Sequence, residues 1–466
     1  MSEPERAGAT ALRVLVLLLL AAAPLLAGAV HEPVFVPLLA GCALAGLAAL
    51  WRARGSERPR LPGLALVLGL IGLVLFQLVP LPPPLLRVVS PGSFAFYDQV
   101  TLLRPLTAWK PISVSAPDTL RGLAFLSAFL LLALAVFLEL GEGRWRRRLM
   151  RTVVGVGLAL TVVALLQAVS PEPRRLYGLW QPRWDWAVFG PYVNRNHFAG
   201  YLVMACALAL GEALDALARL RSAWGRRQRG FLVLGESEGQ TLLRAAAVVM
   251  LVVAGLLASR SRGGVSAFAC AVVLMLLLIV FGEVLPLGTA GRVWTAIAVA
   301  VLVASGVLWI GLGGVIDAFE ARGIRGSRLD LWRDMLPMAA HFPVFGDGWN
   351  AFATAYPWYQ TIWRTEWIGE AHNDYLQSLL DGGLVGFLLV AGIAAIVFRG
   401  ALARARRSPI ELGLFGALAG FAFHELVDFN GQIPANAATF VALAVLAVTP
   451  MEGSRPHGLD SRRLHP

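Results

Sequence analysis

The chain alternates long apolar runs with short polar breaks. Runs at 12–30, 34–51, 61–79, 120–140, 150–169, 197–214, 243–258, 264–282, 294–312, 383–398, 411–427 and 433–449 are each bounded by charge, proline or glycine. A helix needs about 20 apolar residues to cross a bilayer. The pattern therefore predicts an all-α integral membrane protein with about 12 transmembrane helices. The first run outlasts the apolar core of a signal peptide and reads as an uncleaved span. The widest break, 313–382, is rich in Trp, Tyr, Pro and Gly and is predicted to be a large, partly helical loop. Three segments follow: helices 1–9 over 1–312, the loop over 313–382, and helices 10–12 with a tail over 383–466.

Composition agrees with this reading. Hydrophobic residues make up 57% of the 466 positions and charged residues 15%, against roughly a quarter charged in soluble domains. The net charge of +11 comes almost entirely from arginine, Lys110 being the one lysine. Arginines crowd alternate connections, in "WRARGSERPR", "GRWRRRLMR", "RLRSAWGRRQR" and "RGALARARR". The positive-inside rule makes that side cytoplasmic, together with both termini. The basic excess is thus topological. No compact basic domain is present, which excludes nucleic acid as a partner. Cys42, Cys206 and Cys270 lie inside apolar runs and read as packing residues. There is no P-loop, dinucleotide fingerprint or metal-ligand spacing. No cofactor or metal is expected, and the energy for any chemistry must arrive with the substrate.

The outward side then holds polar residues that topology does not explain. Arg260 and Arg262 in "SRSRGG" stand at the outer start of a span. Free N–H groups and the positive end of the helix dipole are found there. Ser261 can cap the helix, and Gly263 and Gly264 let a ligand approach the backbone. Two guanidiniums at a helix start suit a diphosphate; snorkelling to lipid phosphates is the alternative. Arg195 and His197 in "NRNHFAGYL" have a similar place, and Asn194 and Asn196 can cap that helix or bond sugar hydroxyls. Arg328 and Arg333 in "GSRLDLWRDMLPM" sit on an amphipathic helix, for which a membrane-surface role and a phosphate role are both open.

His372, in "EAHNDYLQ", is the best candidate for proton transfer, because its ordinary pKa near 6.5 suits a base near neutrality. Glu370 and Asp374 flank it in sequence and can orient the ring. His424, Glu425, Asp428 and Asn430 follow in "FHELVDFNGQIPAN", where ionisable residues at membrane depth either pair or serve function. Trp349, Trp358, Trp363, Trp367 and Tyr375 are of the type that settles at a lipid–water interface.

The stretches "NRNHFAGYL", "SRSRGG", "GSRLDLWRDML…HFPVFGDGWNAF…AHNDYLQSLLDGGLVG" and "VDFNGQIPAN" resemble the O-antigen ligase and polymerase superfamily of bacterial envelope glycosyltransferases. The likeness covers about residues 190–440. It implies a GT-C-like helical fold in the bacterial inner membrane, with the active site facing the periplasm. It also implies a metal-independent reaction that moves a glycan from polyprenyl diphosphate to an acceptor hydroxyl. The acceptor is lipid A–core sugar in ligases, another glycan repeat in O-antigen or exopolysaccharide polymerases, and a protein side chain in O-oligosaccharyltransferases. By the same likeness, Arg260 or Arg262 binds diphosphate, Arg328 stabilises the leaving group, and His372 activates the acceptor. Arg195, Asn194, His197, Asp374 and Asp428 complete the expected substrate-binding set. A single large outer loop late in the chain favours the ligase branch. A transporter is the competing class, but it tends to carry its polar site at the midplane.

Overall fold

The computed structural model describes residues 3–54, 61–101, 105–182, 188–227, 237–282, 284–285, 288–291, 293–294, 297, 301, 328–362 and 367–450. The expected ninth span at 294–312, the first part of the large loop, Trp363 and the tail after 450 fall wholly or mostly outside these residues.

The described residues are almost entirely helical, with no named strand among them. The helices are α1 (Glu3–Leu25), α2 (Glu32–Arg52), α3 (Leu64–Gln77), α4 (Pro83–Val89), α5 (Pro91–Val100), α6 (Ala116–Ala135), α7 (Gly143–Ala168), α8 (Arg195–Arg227) and α9 (Ser237–Ala258). They continue with α10 (Arg262–Phe281), α11 (Arg328–His341), α12 (Phe352–Ala355), α13 (Asp374–Ala405), α14 (Pro409–His424) and α15 (Pro434–Val448). Eight are long and apolar enough to cross a membrane, and α3, α14 and α15 are shorter apolar helices. The protein is a multi-pass membrane protein. The expected count of twelve includes the span at 294–312, which these residues leave untested.

Helix boundaries follow local chemistry. Ser408 precedes Pro409 and Glu411, and its hydroxyl accepts the Glu411 amide at 3.3 Å, an N-cap with proline at the first helical position. Helix α8 packs between α9 and α14, α2 packs on α6, and α13 flanks α3 and α14. At the crossing of α8 and α14, a Cβ on Gly211 would lie 2.7 Å from the Gly413 Cα. Only glycine lets the two backbones come this close.

The sequence predicts a span starting at 383. The helix instead starts at Asp374 and bends at Gly383, whose φ is 61° and ψ −165°. Amide groups at the bend find new partners: Leu384 N–H donates to the Pro343 carbonyl (2.9 Å) and Val385 N–H to that of Val344 (3.1 Å). Gln77 on α3 holds the same place from the other side. Its amide donates to the carbonyls of Phe345 (2.6 Å) and Asp381 (2.7 Å), while its Oε1 accepts from Trp349 N–H (2.9 Å). A kink whose polar groups are all re-paired costs little in an apolar medium.

Helix α11 is two-faced, as its pattern predicts. Leu331, Met335 and Met338 are buried against Phe352, Tyr356, Ala371 and Leu380 in a small core that also takes in Val114. Its other face carries the exposed Leu329, Arg333 and Leu336. This small core anchors the segment around 371–372 to α11.

Candidate active site

The starts of α8, α10, α13 and α15, the end of α14 and the start of α11 meet at one end of the bundle. The turn Glu425–Ile433 between α14 and α15 lies at their centre. Asp428 is buried, with one carboxyl oxygen 3.6 Å from His197 Nε2 and the other 3.7 Å from Arg328 Nη2. Arg328 Nη1 also donates to the Val427 carbonyl. Burial alone would raise the Asp428 pKa. The neighbouring His197, His424 and Arg328 overcome it and hold the carboxyl well below its usual range. Asp428 is therefore a fixed negative charge that sets the places of a guanidinium and an imidazole.

Two imidazoles share one aromatic ring. His197 meets Phe429 edge-on at 4.6 Å between centroids, and His372 meets the same ring edge-on at 4.8 Å. His372 has a left-handed backbone (φ 53°) immediately before the α13 cap. Asn373 Oδ1 accepts the amides of Tyr375 (3.1 Å) and Leu376 (3.0 Å), which fixes where the helix starts. Before it, Ala371 is gripped from two sides. Its amide donates to Gln377 Oε1 (2.7 Å), and its carbonyl accepts Trp332 Nε1–H (2.9 Å). A non-glycine residue held at positive φ by such clamps is of the kind that collects at functional sites.

Asp374 faces a different partner from the one its position in sequence suggests. Its carboxylate accepts Gly431 N–H (2.8 Å) and lies 3.5 Å from Gln432 Nε2, and its own amide donates to the Glu425 carbonyl (3.1 Å). It ties α13 to the central turn. Gly431 N–H also reaches Glu425 Oε2 at 3.2 Å. Burial, then the nearby Asp374, pushes the Glu425 pKa well up.

The start of α10 closes the group. Ser261 Oγ accepts Gly264 N–H at 3.2 Å, as a cap should. Gly263 abuts the centre: a Cβ there would lie 2.9 Å from His424 Nε2 and 3.3 Å from Val427 Cγ2. Arg262 is the exposed first residue of α10, and Arg260 is exposed two residues earlier with φ 53°. Arg195 is likewise exposed as the first residue of α8, where Asn194 Oδ1 accepts the Asn196 amide (2.9 Å). So His372, Arg328, His197, Asp428 and the start of α10 come together, Asp374 braces them, and Arg195, Arg260 and Arg262 stand exposed at helix starts.

Sequence reasoning passed over Phe429 and Asn436. Asn436 Nδ2 donates to the His197 carbonyl and to Asn430 Oδ1, both at 2.8 Å, and its Oδ1 accepts Tyr192 Oη–H at 2.9 Å. An amide in the otherwise apolar helix "PANAATFVALAVLAV" was the available signal. Phe429 offered none, since an aromatic residue beside a membrane is ordinary.

Residues 246–391 match the family described as O-antigen ligase. Over that segment the chain is similar to the O-antigen ligase family. A curated relative points the same way: the exopolysaccharide production protein ExoQ of Rhizobium meliloti (strain 1021) is 24% identical over 161 residues. The alignment covers 33% of this chain and 36% of that protein, so the chain spans about a third of its relative. The family segment includes Arg260, Arg262, Arg328, His372 and Asp374. His197 and Asp428 lie outside it, yet the fold brings them to the same place.

Proposed function

We propose that this protein is a membrane glycosyltransferase of the O-antigen ligase type, transferring a glycan from polyprenyl diphosphate to an acceptor hydroxyl. The observation that carries the reading is the convergence of Arg328, His197 and His372 on Asp428 and Phe429 beside the start of α10. Arg262 and the α10 N-terminus would hold the diphosphate, with Arg260 and Arg195 as further cations at the rim. Arg328, positioned by Asp428, would stabilise the charge that gathers as the sugar C1–O phosphate bond breaks. His372 would take the proton as the acceptor oxygen bonds to C1. Polyprenyl diphosphate leaves with the electron pair. The charge is met by guanidiniums, so no metal is needed, and full activity in EDTA is the check.

The acceptor in this reading is lipid A–core sugar. Arg52, Arg146 and Arg404 lie at the end of the bundle away from this site, and the positive-inside rule then supports a site facing the periplasm from the inner membrane. A second reading, favoured by the name of the exopolysaccharide relative, makes the acceptor another glycan repeat. Long polymer left on its lipid carrier in a deletion strain marks a ligase; single repeats left there mark a polymerase. The reaction itself is tested with purified protein and a polyprenyl-diphosphate glycan. His372→Ala and Arg262→Ala should each slow transfer by about 10²-fold or more. Near wild-type rates in both would end the assignment.

A further inference from the structure

A cleft of about 270 Å³ opens beside the histidines at the same end of the bundle. Phe429 belongs to both places: its ring meets His197 and His372, and it also lines the cleft. The remaining lining is largely apolar, Trp349, Phe35 and Phe125 among it, with Asn350, Glu370, Gln432 and, from α6, Arg121 as its polar groups. Part of this lining therefore comes from a helix outside the segment that matches the ligase family.

The lining has the chemistry of a saccharide site. Aromatic faces receive the C–H face of a sugar ring. A carboxyl, two side-chain amides and a guanidinium match hydroxyl groups that both donate and accept. An acyl chain would leave those polar groups unpaired, at a cost. The walls are also preset. A Cβ on Gly122 would lie 2.8 Å from Trp349 Cδ1, and one on Gly382 would lie 3.2 Å from its Cζ3, so the indole is wedged between α6 and α13. Asn350 is fixed by two bonds: its amide N–H donates to Asp381 Oδ2 (3.0 Å), and its Nδ2 donates to the Asp118 carbonyl (3.2 Å). Rigid walls lower the ordering cost of binding. The volume is below the range of about 300–1,000 Å³ that takes a drug-sized ligand, so it suits a short saccharide rather than a long chain.

We propose that this cleft holds a sugar ring of the glycan that reacts beside His372, with Glu370 and Arg121 bonding its hydroxyls. The inference rests on the transferase reading above. Burial, then the charges of Asp381 and Asp374, raises the Glu370 pKa well above its usual range. These surroundings favour the protonated form, in which a carboxyl can donate to a hydroxyl as well as accept from one.

The test uses the full chain in lipid nanodiscs. Glu370→Gln keeps the side-chain shape. Arg121 is 68% exposed and pairs only loosely with Asp118 (3.5 Å), so Arg121→Gln should fold normally. Each variant should raise the KM of one substrate about tenfold with kcat nearly unchanged, the pattern of a lost binding contact. A raised donor KM assigns the ring to the donor glycan; a raised acceptor KM assigns it to the acceptor. A binding assay runs in parallel. Its probe is the oligosaccharide released by mild acid from the polyprenyl-diphosphate glycan, read by saturation-transfer NMR. Wild type should give a signal that both variants lose. Unchanged KM values and an undiminished signal in both variants would overturn the cleft assignment while leaving the transferase intact. A saccharide signal lost in the variants of a protein that transfers nothing would keep the cleft and remove the transferase.

Discussion

The two ends of the bundle use the same residue types to different ends. Away from the site, each buried or half-buried arginine is matched to a fixed acceptor. Glu139 accepts Arg13 Nε at 3.0 Å and Arg52 Nε at 3.2 Å, joining α1 and α2 to the end of α6. Arg146 forks onto Glu411 and also donates to the Leu446 carbonyl (2.6 Å), and Arg404 Nε donates to the Ala447 carbonyl (2.9 Å). These are helix-to-helix bolts. At the site end, Arg195, Arg260 and Arg262 are exposed at helix starts, and the histidines lie edge-on to Phe429. Charge matched to a buried partner stabilises, whereas a guanidinium exposed at a helix start can reach a ligand.

The sharpest way to break this comparison is to remove one arginine at each end. Arg146→Ala leaves Glu411 half-buried without its fork and should cost about 3–5 kcal/mol. Its signature is a large fall in thermal stability in detergent, with the transfer rate per folded molecule retained. Arg328→Ala should lower kcat by about 10²–10³-fold; it also strips buried Asp428 of one partner, so melting falls as well, and the discriminating readout is a transfer rate per folded molecule that drops with it. Loss of stability in Arg328→Ala with activity intact would show the site end to be another bolt.

A middle-sized effect separates two carboxyls near the site. Asp347 is fully buried, and neither of its carboxyl oxygens has a hydrogen-bond partner among the described residues. Burial, then the charge of Asp381, raises its pKa well above the usual value. The folded state thus favours the protonated form. Its stabilising contribution is complete below the ordinary carboxylate pKa near 4 and is lost as pH rises through the raised value. Asp347→Asn should therefore raise Tm at pH 8 by about 2 °C, and the gain should vanish near pH 4 in a thermal-shift series. Asp428, held low, has the opposite sign. Its contribution is present above about pH 4 and is lost as pH falls further.

The smallest effect tests the close approach of α10. Gly263→Ala would press on His424 and should lower kcat by about tenfold, since reacting groups tolerate little displacement. A fall in melting should accompany it, since the buried imidazole must shift, so the rate is read per folded molecule. An unchanged rate would mean that the start of α10 lies against the histidine without positioning anything that reacts.

How much of this was readable in advance depended on the length of the pattern. Apolar runs announced eleven of the helices, because a bilayer demands a long unbroken stretch that chance seldom supplies. Ser261 announced the α10 cap, because capping is a matter of neighbouring residues. The early start of α13 had a local signal, the Asn373 cap, but the bend at Gly383 did not: its re-paired groups find Gln77 and the carbonyls of Pro343 and Val344, which lie far away in the chain. The same distance hid the orientation of Asp374. Its neighbour in sequence is His372, but its hydrogen bonds go to the turn at Gly431.

The amino-acid order alone settled the membrane character and the helical class, and supplied the inventory of arginines and histidines, because hydrophobicity and charge are properties of single residues and short windows. Only the tertiary structure decided that Asp428 would unite His197 with Arg328, and that Phe429 would face two imidazoles. Those contacts join α8, α11, α13 and α14, and their distances depend on how apolar helices pack. No local signal encodes that packing.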